Sequence, residues 1–149
     1  MSTLHNAPPT ILLAGEGTGL RATMQDILRL YGYRVICAPD AEAALETIAA
    51  NPIDLALFEA HASARSEFSA CRAIKSHPDT CRIPVVFVVG ASDDLARIDG
   101  TASGADDFLS TPIRKQELLS RVNSLLRRRW CEENLEKDRA RAAYSTMSS

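Results

Sequence analysis

Two groups of residues in this sequence could do chemistry. The first is Glu59, which closes the apolar run Asp54-Leu55-Ala56-Leu57-Phe58-Glu59. A strand tip opening into a loop is where open α/β sheets place their chemistry, so this carboxylate is a candidate working group. The second is Gly15-Glu16-Gly17-Thr18-Gly19, which follows an apolar run and opens a helical pattern about 20 residues before Asp40. That arrangement imitates a dinucleotide fingerprint, in which glycines let a pyrophosphate approach a helix N-terminus. Leu20, however, stands where the GxGxxG spacing asks for Gly or Ala. Glu16 and Glu59 could also share a divalent ion with a carbonyl near His61, but two carboxylates and a carbonyl are thin for Mg²⁺. His61 is a lone histidine, and a solvated loop residue is its simpler reading.

The elements that would position these groups follow from periodicity. Ile11-Leu12-Leu13-Ala14 reads as a buried strand, followed by a helix capped by Thr18 and carrying Leu20, Met24, Ile27, Leu28 and Tyr31 up to Gly32. Arg34 to Cys37 is a second strand. Asp40 caps a helix with Ala44, Leu45, Ile48 and Ala49 inward, ended by Asn51-Pro52. After the strand that ends in Glu59, a third helix runs from about Ser66 to His77 with Phe68, Cys71 and Ile74 inward. Val85 to Val89 is a very apolar strand. Ser92 caps a fourth helix carrying Leu95 and Ile98, and Ser103-Gly104 breaks it. Asp107-Phe108-Leu109 is a short fifth strand. Pro112 lies early in a long last helix with Leu118, Leu119, Val122, Leu125 and Leu126 inward. Five βα units with apolar strands predict a parallel sheet covered on both faces.

The chain has 149 residues, 46% of them apolar and 24% charged, which suits one globular domain. A net charge of −2 gives no reason to expect nucleic-acid binding. No apolar run reaches the ~18 residues of a membrane span. Residues 1–9 read as a flexible leader without the apolar core of a signal peptide. Cys37, Cys71, Cys81 and Cys131 are scattered without a CxxC pair, so free thiols in a reducing cytoplasm are expected. Residues 10–129 are read as the folded domain and 130–149 as a charged helical linker or tail, with Trp130 and Leu135 its main large apolar residues. Arg127-Arg128-Arg129 is followed by Glu132, Glu133, Glu136 and Asp138, so a mixed-charge solvated helix is favoured over a nucleic-acid contact.

Three segments carry a family resemblance: Cys71-Arg72-Ala73-Ile74-Lys75, Arg82-Ile83-Pro84-Val85-Val86-Phe87, and Gly104-Ala105-Asp106-Asp107-Phe108-Leu109 followed by Pro112. With five βα units in this order, residues 10–129 resemble the receiver domain of bacterial response regulators. The resemblance implies a flavodoxin-like (βα)5 doubly wound parallel five-stranded sheet, here with an extended C-terminal helix. It also implies a cis peptide at Thr111-Pro112. The family's chemistry is phosphoryl transfer to an aspartate at the tip of the third strand. Two acids after the first strand help to hold Mg²⁺, and a Ser/Thr and a Lys bind the phosphoryl oxygens.

This sequence departs from that pattern at nearly every position. Gly15 and Glu16 stand where the acidic pair belongs, and Glu59 stands at the acceptor. Val89 occupies the hydroxyl position and Thr111 the lysine position. The loop after the third strand reads Ala60-His61-Ala62-Ser63-Ala64-Arg65 instead of a Met-Pro-Gly-like run. Phe108 alone fits its place, as the aromatic whose rotamer reports the family's switch. A longer acceptor is displaced by roughly a carbon–carbon bond, and misplacement on that ~1 Å scale can cost ~10²-fold in rate.

The expectation is therefore a non-enzymatic pseudo-receiver, free of cofactors, acting in bacterial signal transduction by contact with a protein partner or output domain. Glu59 could imitate a phosphorylated aspartate, but Val89 cannot respond to such a charge and Thr111 brings none. Two alternatives belong to other classes: an atypical receiver still phosphorylated or metal-bound at Glu59, and a nucleotide-binding domain built on Gly15, Gly17 and Gly19. Arg97, Asp106 or Asp107, Glu117 and Arg121 resemble charges that some receivers use in dimers through the fourth helix, fifth strand and fifth helix. Glu117 and Arg121 could instead form an ordinary i,i+4 pair worth ~0.3–0.5 kcal/mol. Trp130, expected to be poorly buried in a monomer, joins the candidate interface.

Overall fold

Five βα units lie in strict alternation in the computed structural model, which describes residues 7–16, 19–60 and 64–148. They are β1 (Thr10–Ala14), α1 (Gly19–Leu30), β2 (Arg34–Ala38), α2 (Ala41–Ala50), β3 (Leu55–Glu59), α3 (Arg65–Ser76), β4 (Val85–Gly90), α4 (Asp94–Ala102), β5 (Asp107–Thr111) and α5 (Lys115–Ser148). The strands form one parallel sheet in the order β2-β1-β3-β4-β5. The flavodoxin-like doubly wound architecture is thus the observed one, with a long C-terminal helix. Residues 1–6 of the leader lie outside the described residues, as does the Thr18 cap.

The period-2 alternation of the strands splits the core in two. Leu12, Ala14, Ala56, Phe58, Val85, Phe87 and Val89 face one side, against α2, α3 and α4. Ile11, Leu13, Leu55, Leu57, Val86, Val88 and Leu109 face the other, against Met24 and Leu28 of α1 and Leu118, Val122 and Leu125 of α5. Both faces are buried, which is why the strands read as apolar runs rather than alternating ones. Asp40 caps α2, accepting from the Ala43 backbone amide at 2.8 Å. Asp106 ties β4 and β5 to α3 and α5, accepting from the Val85 amide at 2.8 Å, Lys75 at 2.8 Å and Arg128 at 2.9 Å.

The structure corrects several sequence expectations. On α4 the cap is Asp93, not Ser92, with its carboxylate on the Ala96 amide at 3.1 Å. The inward residues of α4 are Ala96 and Gly100, while Leu95 and Ile98 are 64% and 63% exposed. Small residues face inward because the Phe87 and Phe108 rings already fill that space; a Cβ at Gly100 would lie 2.7 Å from the Phe108 ring. Pro112 precedes α5 rather than opening it. Arg129 is not a solvated residue of a mixed-charge face. Its guanidinium donates to the carbonyls of Ile53 and Asp54, each at 3.0 Å. Trp130 is half-buried, in a groove lined also by Pro9, Tyr31, Tyr33 and Leu126.

Candidate functional site

The C-terminal tips of the strands share one edge of the sheet. The ladder pairs Ala14 with Phe58, Glu59 with Val88 and Gly90 with Thr111, so Gly15, Glu59, Gly90 and Thr111 sit at neighbouring strand ends. The strand order turns between β1 and β3, and crevices of open α/β sheets form at such a switch point. Gly15 and Glu59 flank it.

Glu59 lies directly over Gly15. A Cβ placed on Gly15 would be 2.8 Å from Glu59 Cδ and 3.0 and 3.1 Å from its two carboxylate oxygens. A side chain at position 15 and the present rotamer of Glu59 therefore exclude each other. Strand alternation explains the encounter. Leu55, Leu57 and Glu59 project to the α1/α5 face, the face that Ile11 and Leu13 share with position 15. The site also holds a cation that sequence reasoning missed. Arg21, one turn into α1, donates to the Gly15 carbonyl at 2.7 Å and lies 3.5 Å from that of Ala38. Its place in the first turn of a helix that follows the glycine loop was the available signal.

The other tip positions are apolar or uncharged. Val89 is 1% exposed and belongs to the core with Phe87 and Ala96. Thr111 is half-buried, and its bond to Pro112 is cis, as anticipated. The Phe108 ring lies 6.3 Å from that of Phe87, beneath α4. The Arg97 guanidinium sits 5.7 Å from its centroid and donates to the Ser110 hydroxyl, closing the ring in from outside.

A hard divalent cation takes about six oxygen ligands. The described residues offer the carboxylates of Glu59 and of exposed Glu16. Glu59 fills the space where a side chain at position 15 would stand, so this donor set does not fit such an ion. Among the described residues no three His, Cys, Asp or Glu side chains converge closely enough to hold a metal. His61, Gly17 and Thr18 lie outside the described residues.

The candidate interface residues are dispersed in role. Both oxygens of Asp107 accept from Arg121, at 3.0 and 2.8 Å, so Arg121 turns to β5 rather than to Glu117. Asp106 is engaged by Lys75 and Arg128. Arg97 is committed to Phe108 and Ser110, and Glu117 is exposed on α5. What this face leaves uncovered is the apolar pair Leu95 and Ile98.

The sequence matches the family described as the response regulator receiver domain over residues 11–123. It is 30% identical to the transcriptional regulatory protein CpxR of Escherichia coli over 129 residues, 86% of this chain and 54% of that protein. It is 29% identical to the response regulator MprA of Mycobacterium ulcerans over 138 residues, 93% of this chain and 59% of that one. The chain spans about half the length of the curated relatives it matches. Among solved structures, it resembles a CheY-like receiver domain protein from Methanospirillum hungatei with a TM-score of 0.74 at 22% identity, covering 85% of this chain and 99% of that one. The receiver domain of a signal transduction histidine kinase from Syntrophus aciditrophicus gives a TM-score of 0.72 at 25% identity, covering 79% and 89%.

Proposed function

The chain belongs to the response regulator receiver domain family, and we propose that it is a pseudo-receiver, a phosphorylation-independent signalling module that acts through protein contacts. The observation that carries this reading is the packing of Glu59 on Gly15. The acceptor position bears a longer acid, and that acid occupies the room of a missing one. Nearby, Val89 is buried without a hydroxyl and Thr111 brings no charge to the tip of β5. Phosphoryl transfer needs cations and donors set around the migrating group, and this constellation is stripped of most of them.

The proposal places the domain at residues 10–129, in the cytoplasm, with a regulator's output domain or a separate protein as partner. No helix among the described residues is long and apolar enough to cross a membrane. Self-association is assigned to the face of α4, β5 and α5. Its support is the uncovered pair Leu95 and Ile98 on α4, together with the Arg121–Asp107 pair that joins α5 to β5. The experiment is light scattering of the chain and of Arg121→Glu, with and without acetyl phosphate and Mg²⁺. The reading predicts a mass indifferent to the phosphoryl donor. A dimer that forms only with the donor would contradict it.

A further inference from the structure

Residue 129, where the sequence reading ends the domain, lies inside a helix. α5 runs unbroken from Lys115 to Ser148, and no turn separates the part that covers the core from the part that leaves it. At 1.5 Å per residue such a helix is about 50 Å long. The leaving part is a mixed-charge sequence, and helices of that kind are marginal in water without tertiary packing. Contacts that hold it to the domain therefore decide where it stays helical and which way it points.

Three such contacts lie within two turns. Arg129, with a side chain 21% exposed, donates from Nη1 to the carbonyls of both Ile53 and Asp54, just before β3, with Asp54 Oδ1 at 3.6 Å. Glu133, one turn on, holds the same guanidinium at 3.0 Å. Trp130 is half-buried in the groove of about 790 Å³ between α5 and the Tyr31-Gly32-Tyr33 turn. A further turn on, Glu136 pairs with Arg82 from the segment before β4. From residue 137 to 143 every side chain is exposed.

We infer that the domain clasps its exit helix, with Arg129 as the clasp, so that α5 moves with the sheet as one body as far as Glu136. The geometry suits arginine. Its Nη1 donates to both successive carbonyls while its Nε holds Glu133, a spread of donors over one rigid plane that a compact lysine ammonium lacks. The clasp fastens the helix to the N-terminal end of β3, the strand whose other end bears Glu59. Whatever follows this helix or packs on it meets a lever of fixed direction rather than a loose tether.

The test is amide hydrogen exchange and Trp130 fluorescence on the full chain, for the wild type, Arg129→Gln and Glu136→Gln. Trp130 is the single tryptophan, so its emission reports this place alone. Arg129→Gln should speed exchange of amides 130–136 by about tenfold or more, red-shift the emission and expose the ring to acrylamide. The amides of β1, β3 and β4 should keep their wild-type protection. Glu136→Gln should loosen only the last of these turns. Unchanged exchange over 130–136 in Arg129→Gln would overturn the clasp. So would a loss spread evenly over the strands, which would make Arg129 a general stabiliser of the fold.

Discussion

Gly15 and Glu59 occupy one space between them: a Cβ on the glycine would stand 2.8 Å from the carboxyl carbon of the glutamate. The two departures from the receiver pattern are thus physically one. Removing the side chain at the end of β1 makes room for the extra methylene at the end of β3. The atoms in the way are the far end of a flexible side chain, so Gly15→Ala should displace Glu59 at a cost of about 0.5–1 kcal/mol, that of moving a side chain off its rotamer. In a Glu59→Ala background that cost should vanish. A double-mutant cycle by urea denaturation should return a coupling of at least ~0.5 kcal/mol, as for residues in contact. Strict additivity would show that the carboxylate does not rest on Gly15.

Gly100 presents the same logic in the core. A Cβ there would lie 2.7 Å from the Phe108 ring and 3.0 Å from that of Phe87, and both rings are held between α4 and the sheet. Phe87 is fully buried and Phe108 partly so, and a bulky ring moves aside at greater cost than the end of Glu59. Gly100→Ala should destabilise the domain by ~1–3 kcal/mol, the usual range for overpacking. Helix propensity alone would favour the alanine, so a neutral or stabilising result would mean that Phe108 has another place to go.

Leu95 and Ile98 should be nearly silent for stability and decisive for association. Both are largely exposed, so Leu95→Glu with Ile98→Glu should move the unfolding free energy by no more than ~0.5 kcal/mol for each substitution. Light scattering of this double variant should give a monomer if α4 lies in the dimer. A dimer that persists would move the interface off this face.

The four cysteines are free thiols of very different access. Cys131 is exposed on α5, whereas Cys71 is fully buried, and burial pushes its thiol pKa up. The thiolate is the reactive form, so burial protects Cys71 twice over. With iodoacetamide on the folded chain, Cys131 should react first and Cys71 only on unfolding. Early labelling of Cys71 would show that α3 opens locally.

The strands and the βα alternation were legible in the sequence because strands buried on both faces are apolar without interruption, as in Val85 to Val89; the sheet order came only with the family resemblance. The residue types at positions 15, 59, 89 and 111 were legible too, as departures from the pattern that the family resemblance implies. What periodicity could not give was the sense of a face when the inward residues are small. Ala96 and Gly100 carry no signal, so Leu95 and Ile98 were the residues of α4 that stood out, although both are exposed. Nor could it give contacts across 75 residues, such as Arg129 on Asp54. A run of three arginines before glutamates looks solvated until the fold brings a strand's first carbonyls beside it. Arg21 was hidden for the same reason, as its partners are main-chain oxygens.

Loss of phosphoryl acceptance can be read from the intact mass after incubation with acetyl phosphate and Mg²⁺. The wild type should keep its unmodified mass, and so should Glu59→Gln. A stable adduct of one phosphoryl group on the wild type that is absent from Glu59→Gln would contradict it. That result would make the domain a working receiver with glutamate as its acceptor.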